Sequence, residues 1–287
     1  MSHRLSTQAN DDPNLMLERR RSLLGLRVDD WTLPEVIHYL DECIVNRKPV
    51  HLWGINVPTF AMVRTIPEIV DISQRFDIVV ADGAGIPIFG RFMGQRIRAH
   101  VGGPHVSNGL IELAERKGYR LLLFGATPEA NAEAGRRLLE KYPSLDLCPG
   151  IDGYYPPEAE AEMAQRIKDL KPDILLVGMA LPKKEKFLLD WKDFMQVPVS
   201  VACGGYIDVL AGKTSLAPKI IERLAMSWLW RFMLEPKRLF SKMLLGGLLF
   251  IFYIFPVAVL NHIFLPKHSL DVFDLFPSAR SRTESGQ

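Results

Sequence analysis

The stretch DIVVADGAGIPIFG, residues 77 to 90, sets Asp82 directly after a β-branched apolar run and follows it with Gly83 and Gly85. A carboxylate at the tip of a buried strand, partly removed from water, can take a proton from a hydroxyl that is about to attack an electrophile, provided the two meet within hydrogen-bond reach. On local sequence alone, the same Asp-Gly pair serves equally well as turn chemistry or as a helix cap. The string GAGIPIFG begins like a dinucleotide fingerprint, but Ile88 replaces the third glycine of GxGxxG and Pro87 interrupts the helix that should follow. A nicotinamide site is therefore weakly supported.

Three further segments carry charge or close-approach glycines. In FGATPEA, Gly125 lets the backbone approach a ligand, and the helix start at Thr127 and Pro128 offers free N–H groups to a phosphate; an ordinary strand-to-helix turn reads the same way. In VGMALPKKEKFLLDW, Gly178 ends a strand, and Lys183, Lys184 and Glu185 stand at the next helix start, either as an anion site or as a solvated first turn. In CGGYIDVLAGK, Gly204 and Gly205 permit close contact, and Asp208 either binds or caps. The chain has no DxD string and no His/Asp cluster at metal-ligand spacing. No metal or other cofactor is expected, and positive side chains with helix N-termini are left to meet any diphosphate.

Such residues need a scaffold, and the sequence repeats one phrase between about 49 and 205: a short apolar run, a Gly, Asn or Asp turn, then a segment with helical spacing. The runs PVHLWGIN, FDIVVADGAG, YRLLLFGAT, PDILLVGMA and VPVSVACGG are continuous rather than alternating, as strands covered on both faces must be. The fold class is α/β: a Rossmann-like open parallel sheet with helices on both faces, whose ligands sit outside the carboxyl ends of the strands. With 287 residues and 48% of them hydrophobic, the chain can bury a large core in one or two domains. Cys43, Cys148 and Cys203 lie too far apart for a CxxC site or a disulfide framework, which suggests a reducing compartment. The N-terminus is polar, with no apolar export segment.

The last third changes character. APKIIERLAMSWLWRFMLEPKRLFSK mixes Trp228, Trp230 and Phe232 with Lys219, Arg223, Arg231, Lys237 and Arg238, in the manner of a helix lying on a membrane surface. Residues 244 to 265 then contain no Asp, Glu, Lys or Arg, and about 20 such residues suffice to cross a bilayer. A core helix is the soluble alternative, and Pro256, Asn261 and His262 keep an interfacial or re-entrant hairpin open beside a full span. Basic residues on the N-terminal flank favour a cytoplasmic location for the catalytic part, at the inner face of the plasma membrane. The expected organisation is a disordered segment 1–24, an α/β domain 25–215, a basic helical appendage 216–243, a hydrophobic membrane-associated segment 244–266 and a flexible tail 267–287.

Taken in order, ADGAG, VGMALPKKE, GGYIDVLAGK, APK and WLWRFMLEPKRL resemble the WecG/TagA/CpsF family of bacterial glycosyltransferases over roughly residues 25 to 242. The resemblance implies an inverting, metal-independent transfer of a hexose from a UDP-sugar to a polyprenyl-diphosphate-linked saccharide, at the cytoplasmic leaflet and with no nucleic acid involved. It implies that Asp82 is the base. It further assigns Asn56, Gly83, Gly85, Gly125, Thr127, Gly178, Lys183, Lys184, Glu185, Gly204, Gly205 and Asp208 to the donor, and His100, His105, Arg231 and Arg238 to the acceptor and diphosphate. The chain departs from the family pattern at several points. Gly54 replaces the Thr of its T-x-N turn, Lys184 the Gln of PKQE, His100 and His105 the Arg and Asp of R-x-x-G-x-D, Leu216 an Arg, and Ser227 a Glu. These changes bear on the sugar, so glucose, as in the exopolysaccharide branch, stands beside N-acetylmannosamine. A homo-oligomeric state is left open. The rival readings are a membrane-bound nucleotide-binding or scaffold protein without catalysis, and a nucleotide-dependent oxidoreductase.

Overall fold

The structure, a computed structural model, describes residues 13–265 and 270–285. Strands β1 (Arg20–Leu23) and β2 (Leu26–Asp29) form an antiparallel hairpin. Strands β3 (Val50–Ile55), β4 (Ile78–Ala81), β5 (Leu121–Gly125), β6 (Ile174–Gly178) and β7 (Val199–Ala202) form a parallel sheet in the order β4-β3-β7-β6-β5. The expected α/β class and parallel sheet are both present.

The apolar runs are continuous because alternate residues feed two separate cores. Trp53, Ile55, Val79, Phe124 and Val177 face one core, capped by helices Val57–Met62, Ile69–Arg75, Glu160–Leu170 and Lys183–Met195. Leu52, Ile78, Val80, Leu123, Leu176 and Val201 face the other, under helices Leu33–Val45, Gly103–Lys117 and Pro128–Lys141. Each fully buried Leu, Ile or Phe contributes roughly 1.5–3 kcal/mol, so neither face can turn to water. The helices that open the connections after β3 and β4 both pack in the first core, with Phe60 against Phe89 at 5.6 Å, and Asn56 and Asp82 stand at the carboxyl ends of these two strands.

The hairpin is fastened to β4 by a buried ion pair. Arg27 donates to both Asp29 carboxylate oxygens at 2.8 Å and to the carbonyls of Phe76 and Asp77 at 2.8 and 2.7 Å, while Asp29 accepts the Val79 N–H at 2.8 Å.

Two expected boundaries need correction. Ordered structure starts before residue 25: Pro13–Arg19 is helical and β1 follows, because Leu23 and Leu24 are buried in the first core; residues 1–12 lie outside the described residues. The tail is also structured. Helix Val272–Leu275 and the start of Pro277–Ser285 bury Val272, Leu275, Phe276 and Ala279 against the same core, and the Val272 N–H donates to Leu24 O at 3.0 Å.

The apolar segment forms Gly246–Leu249, a π-helical turn Phe250–Ile254 and Phe255–Phe264, together one helix of 19 residues with mean hydropathy 2.0. Pro256 lacks an N–H and its ring collides with a regular preceding turn; the π-turn just ahead of it absorbs that mismatch. Only 22% of its apolar window is buried, far less than a core helix hides. Its inner stripe is Phe250, Ile254 and Ala258, with Phe250 packed on Phe60 at 5.5 Å and Phe89 at 5.1 Å.

Candidate active site

Asp82 is the first residue beyond β4, and its N–H donates to Ile55 O at 2.8 Å, extending the ladder by one step. Its side chain is half-buried in a pocket shaped by two glycines. A Cβ on Gly54 would lie 3.2 Å from Asp82 Cβ, and one on Gly102 would overlap Asp82 Oδ1. Burial pushes the Asp82 carboxyl above the ordinary carboxylate range; His105, Arg231 and His100 pull it back down, and Glu222 adds to the rise. A carboxylate so placed is a better base than one in water, because its charged form has lost solvation.

The appendage closes over this point. Helix Lys219–Arg223 brings Glu222 Oε1 to 3.2 Å from His105 Nε2 and 3.4 Å from His100 Nε2, and the two imidazole rings meet edge-on at 5.9 Å. Helix Ser227–Leu234 lays the Arg231 guanidinium on Gly205, where a Cβ would overlap it. The Asp82 and Glu222 carboxylates, two imidazoles and a guanidinium therefore converge at the junction of sheet and appendage. The set can accept a proton and hold an anion at the same place.

The other expected residues divide into groups. Asn56 accepts the Thr59 hydroxyl at 3.0 Å and caps helix Val57–Met62. Gly83, with φ of +98°, turns the chain out of the strand, and a Cβ on Gly85 would strike Val57, so that glycine serves helix packing. Gly125 and Gly178 pair across β5 and β6, and Asn131 stitches this turn by donating to the carbonyls of Leu123, Gly125 and Ile151. Thr127 caps its helix by accepting the Ala130 N–H at 3.2 Å, and Lys213 Nζ reaches its hydroxyl at 3.1 Å. Lys183 donates to Gly153 O at 3.2 Å and sits 3.5 Å from the Tyr155 ring centroid. Gly204, with φ of +57°, and Gly205 form the turn after β7, and Asp208 lies in the following helix Tyr206–Leu210. Five strands at about 4.8 Å spacing put Thr127 and Asp82 roughly 19 Å apart across the sheet, so they touch different parts of any one ligand.

Lys184 and Glu185 are both buried, Glu185 completely, and form an ion pair, while neither Glu185 carboxylate oxygen has a hydrogen-bond partner among the described residues. The apolar packing of helix Lys183–Met195 turns its first-turn charges inward. Arg238 falls in helix Pro236–Leu239, and its side chain lies outside the described residues.

Sequence reasoning missed Glu222, Gly102 and Lys213. Glu222 is one acid in a basic stretch, with nothing to show that it folds back onto two histidines. Gly102 had a signal in HVGGPH, where two adjacent glycines precede a helix. Its φ of −68° suits alanine, so the backbone would tolerate Gly102→Ala while the new methyl displaced the Asp82 carboxylate. We expect a folded protein with turnover reduced about 10²-fold, the usual effect of a reacting group misplaced by an ångström; circular dichroism and single-turnover rates check it.

A family model, the Glycosyl transferase WecG/TagA/CpsF family, matches residues 21–261. Among similar curated proteins is the N-acetylglucosaminyldiphosphoundecaprenol N-acetyl-beta-D-mannosaminyltransferase of Bacillus subtilis (strain 168), 26% identical over 208 residues, 72% of this chain and 80% of that one. A protein of the same name from Staphylococcus aureus (strain NCTC 8325) is 25% identical over 219 residues, 76% of this chain and 85% of the relative.

Proposed function

The chain belongs to the WecG/TagA/CpsF family of glycosyltransferases, and from that premise we propose that it transfers a hexose from a UDP-sugar to a saccharide carried on a polyprenyl diphosphate, with inversion and without a metal, at the cytoplasmic face of the membrane. The observation that carries this reading is the half-buried Asp82, with His105, His100 and Arg231 acting on it, at the carboxyl end of β4. Asp82 takes the proton of the acceptor hydroxyl. The oxygen attacks the anomeric carbon from the face opposite the leaving phosphate, and the C–O bond to UDP breaks with its electron pair on the diphosphate. Arg231 meets that developing charge, helped by Lys183 on the donor side. The relatives named above support a lipid-diphosphate acceptor, and the exposed apolar helix supports delivery of that acceptor from a bilayer.

A panel of UDP-glucose, UDP-N-acetylmannosamine and other UDP-hexoses against a polyprenyl-diphosphate-linked N-acetylglucosamine, read by mass spectrometry, tests the proposal. Transfer from one donor with an inverted linkage supports it. UDP-sugar binding without transfer supports the scaffold reading, and tight NAD binding without UDP-sugar binding supports the oxidoreductase.

The apolar helix stays on the domain along its length: Gly246 lies against Pro58, Phe255 against Phe92 at 5.2 Å, and His262 against Gly94. We therefore read it as lying in the lipid surface rather than crossing it. Phe252 and Phe264 are 77% and 74% exposed on its outer side. Each such ring withdrawn from water contributes roughly 1.5–3 kcal/mol, so Phe252→Asp with Phe264→Asp should lower partition into vesicles by about 10²-fold or more, measured by flotation.

A further inference from the structure

His105 is the group at the site whose wiring the transfer reading has not used. Its Nε2 faces Glu222 Oε1 at 3.2 Å, so a ring proton on Nε2 is the one this carboxylate favours. Its Nδ1 is buried and has no hydrogen-bond partner among the described residues. That bare nitrogen is turned toward the base: a Cβ on Gly102 would lie 3.4 Å from His105 Nδ1 and would overlap Asp82 Oδ1, so both atoms border one small space. An orienting carboxylate, an imidazole with one free lone pair and a second carboxylate follow one another from the appendage to β4.

Resting on the transfer reading, we infer that His105, oriented by Glu222, receives from Asp82 the proton that Asp82 has taken from the acceptor hydroxyl. In the transfer step the acceptor O–H bond breaks, its proton goes to Asp82, and the new glycosidic C–O bond forms as UDP departs with its electron pair. In the reset step the proton passes from Asp82 to His105 Nδ1, and the imidazolium so formed is held by the Glu222 carboxylate at Nε2 until, once product has left, the Nδ1 proton passes to water and the starting tautomer returns. Among the described groups that act on Asp82, His100 shares Glu222, Arg231 is a permanent donor, and Gly54 and Gly102 approach its side chain. The relay also makes use of an imidazole where the family pattern has a carboxylate, since two neighbouring carboxylates would compete for the same proton.

The test uses the full chain in lipid vesicles with the donor and acceptor found active. His105→Ala should lower kcat about 10²-fold, within the range for acid–base groups, with KM for both substrates little changed. Added imidazole should restore kcat saturably, in proportion to its unprotonated fraction. His105→Gln, which fills the space, should resist that rescue, and the acid limb of its log kcat against pH should fall from a slope of two to a slope of one. Glu222→Gln should retain part of the activity and both ionisations. Wild-type turnover in either His105 variant, or failure of imidazole to restore the alanine variant while the glutamine variant keeps a slope of two, overturns the relay and leaves the transferase reading standing. Absence of transfer by the wild-type chain from every UDP-sugar overturns both.

Discussion

Asp82→Asn is expected to fold, to bind donor and to lose turnover by about 10²–10⁴-fold, the usual weight of a positioned base. The amide keeps the shape of the carboxyl and its place between Gly54 and Gly102, so the loss isolates proton transfer from packing. The variant should also be more stable than wild type at neutral pH. Burial raises the Asp82 pKa in the folded protein, so the folded state prefers the protonated form. That preference favours folding fully below the unfolded-state pKa and is lost as pH rises through the folded one, above which an ionised, desolvated carboxylate remains. Asparagine carries no such charge, so its advantage should be present at neutral pH and vanish in acid. Thermal melts at both pH values, set beside single-turnover rates, check the pair of effects. Turnover equal to wild type would remove Asp82 from the chemistry whatever the melts show.

The gain in stability and the loss of activity have one cause. A site that needs a desolvated base must hold it where folding alone would prefer an amide. The same logic explains how much of the site was legible. The strand-then-Asp-Gly pattern located Asp82 because a carboxylate after four buried residues can only emerge at a strand end. The parallel sheet was legible for a related reason: runs such as ILLVG have no polar face to offer water. What the sequence could not show was direction around a helix start. Lys183 and Lys184 are neighbours in a charged string, yet one lies over Tyr155 and the other is buried with Glu185, a difference set by the apolar side of the helix that follows. Glu222 was illegible because its partners are more than 100 residues away in the chain and its own surroundings are basic. The tail was read as flexible because its apolar residues are few. Docking of Val272 and Phe276 onto the hairpin core depends on a surface assembled from both ends of the chain.

That hairpin carries the second large effect. Arg27→Met should cost about 3–5 kcal/mol of unfolding free energy, the range for breaking a buried ion pair from one side. Both partners are about 2% exposed, so Asp29 would keep the Val79 N–H and the more distant Arg20 charge but lose its paired guanidinium, and the carbonyls of Phe76 and Asp77 would lose their donor. Arg27→Lys should recover little, since one ammonium cannot serve two carboxylate oxygens and two carbonyls in the planar arrangement of the guanidinium. Removing both charges, Arg27→Met with Asp29→Leu, should recover more than the lysine variant, because no uncompensated charge remains. It should still fall short of wild type by the orphaned Val79, Phe76 and Asp77 backbone groups, at about 1–3 kcal/mol each. Urea unfolding of the three variants orders them. Phe76 and Asp77 lead directly into β4, so the pair also sets the height at which Asp82 leaves the sheet, and the folded fraction of the double variant should turn over more slowly than wild type. Full activity per folded molecule would show instead that the ion pair steadies the hairpin alone and that β4 is positioned by its neighbour β3.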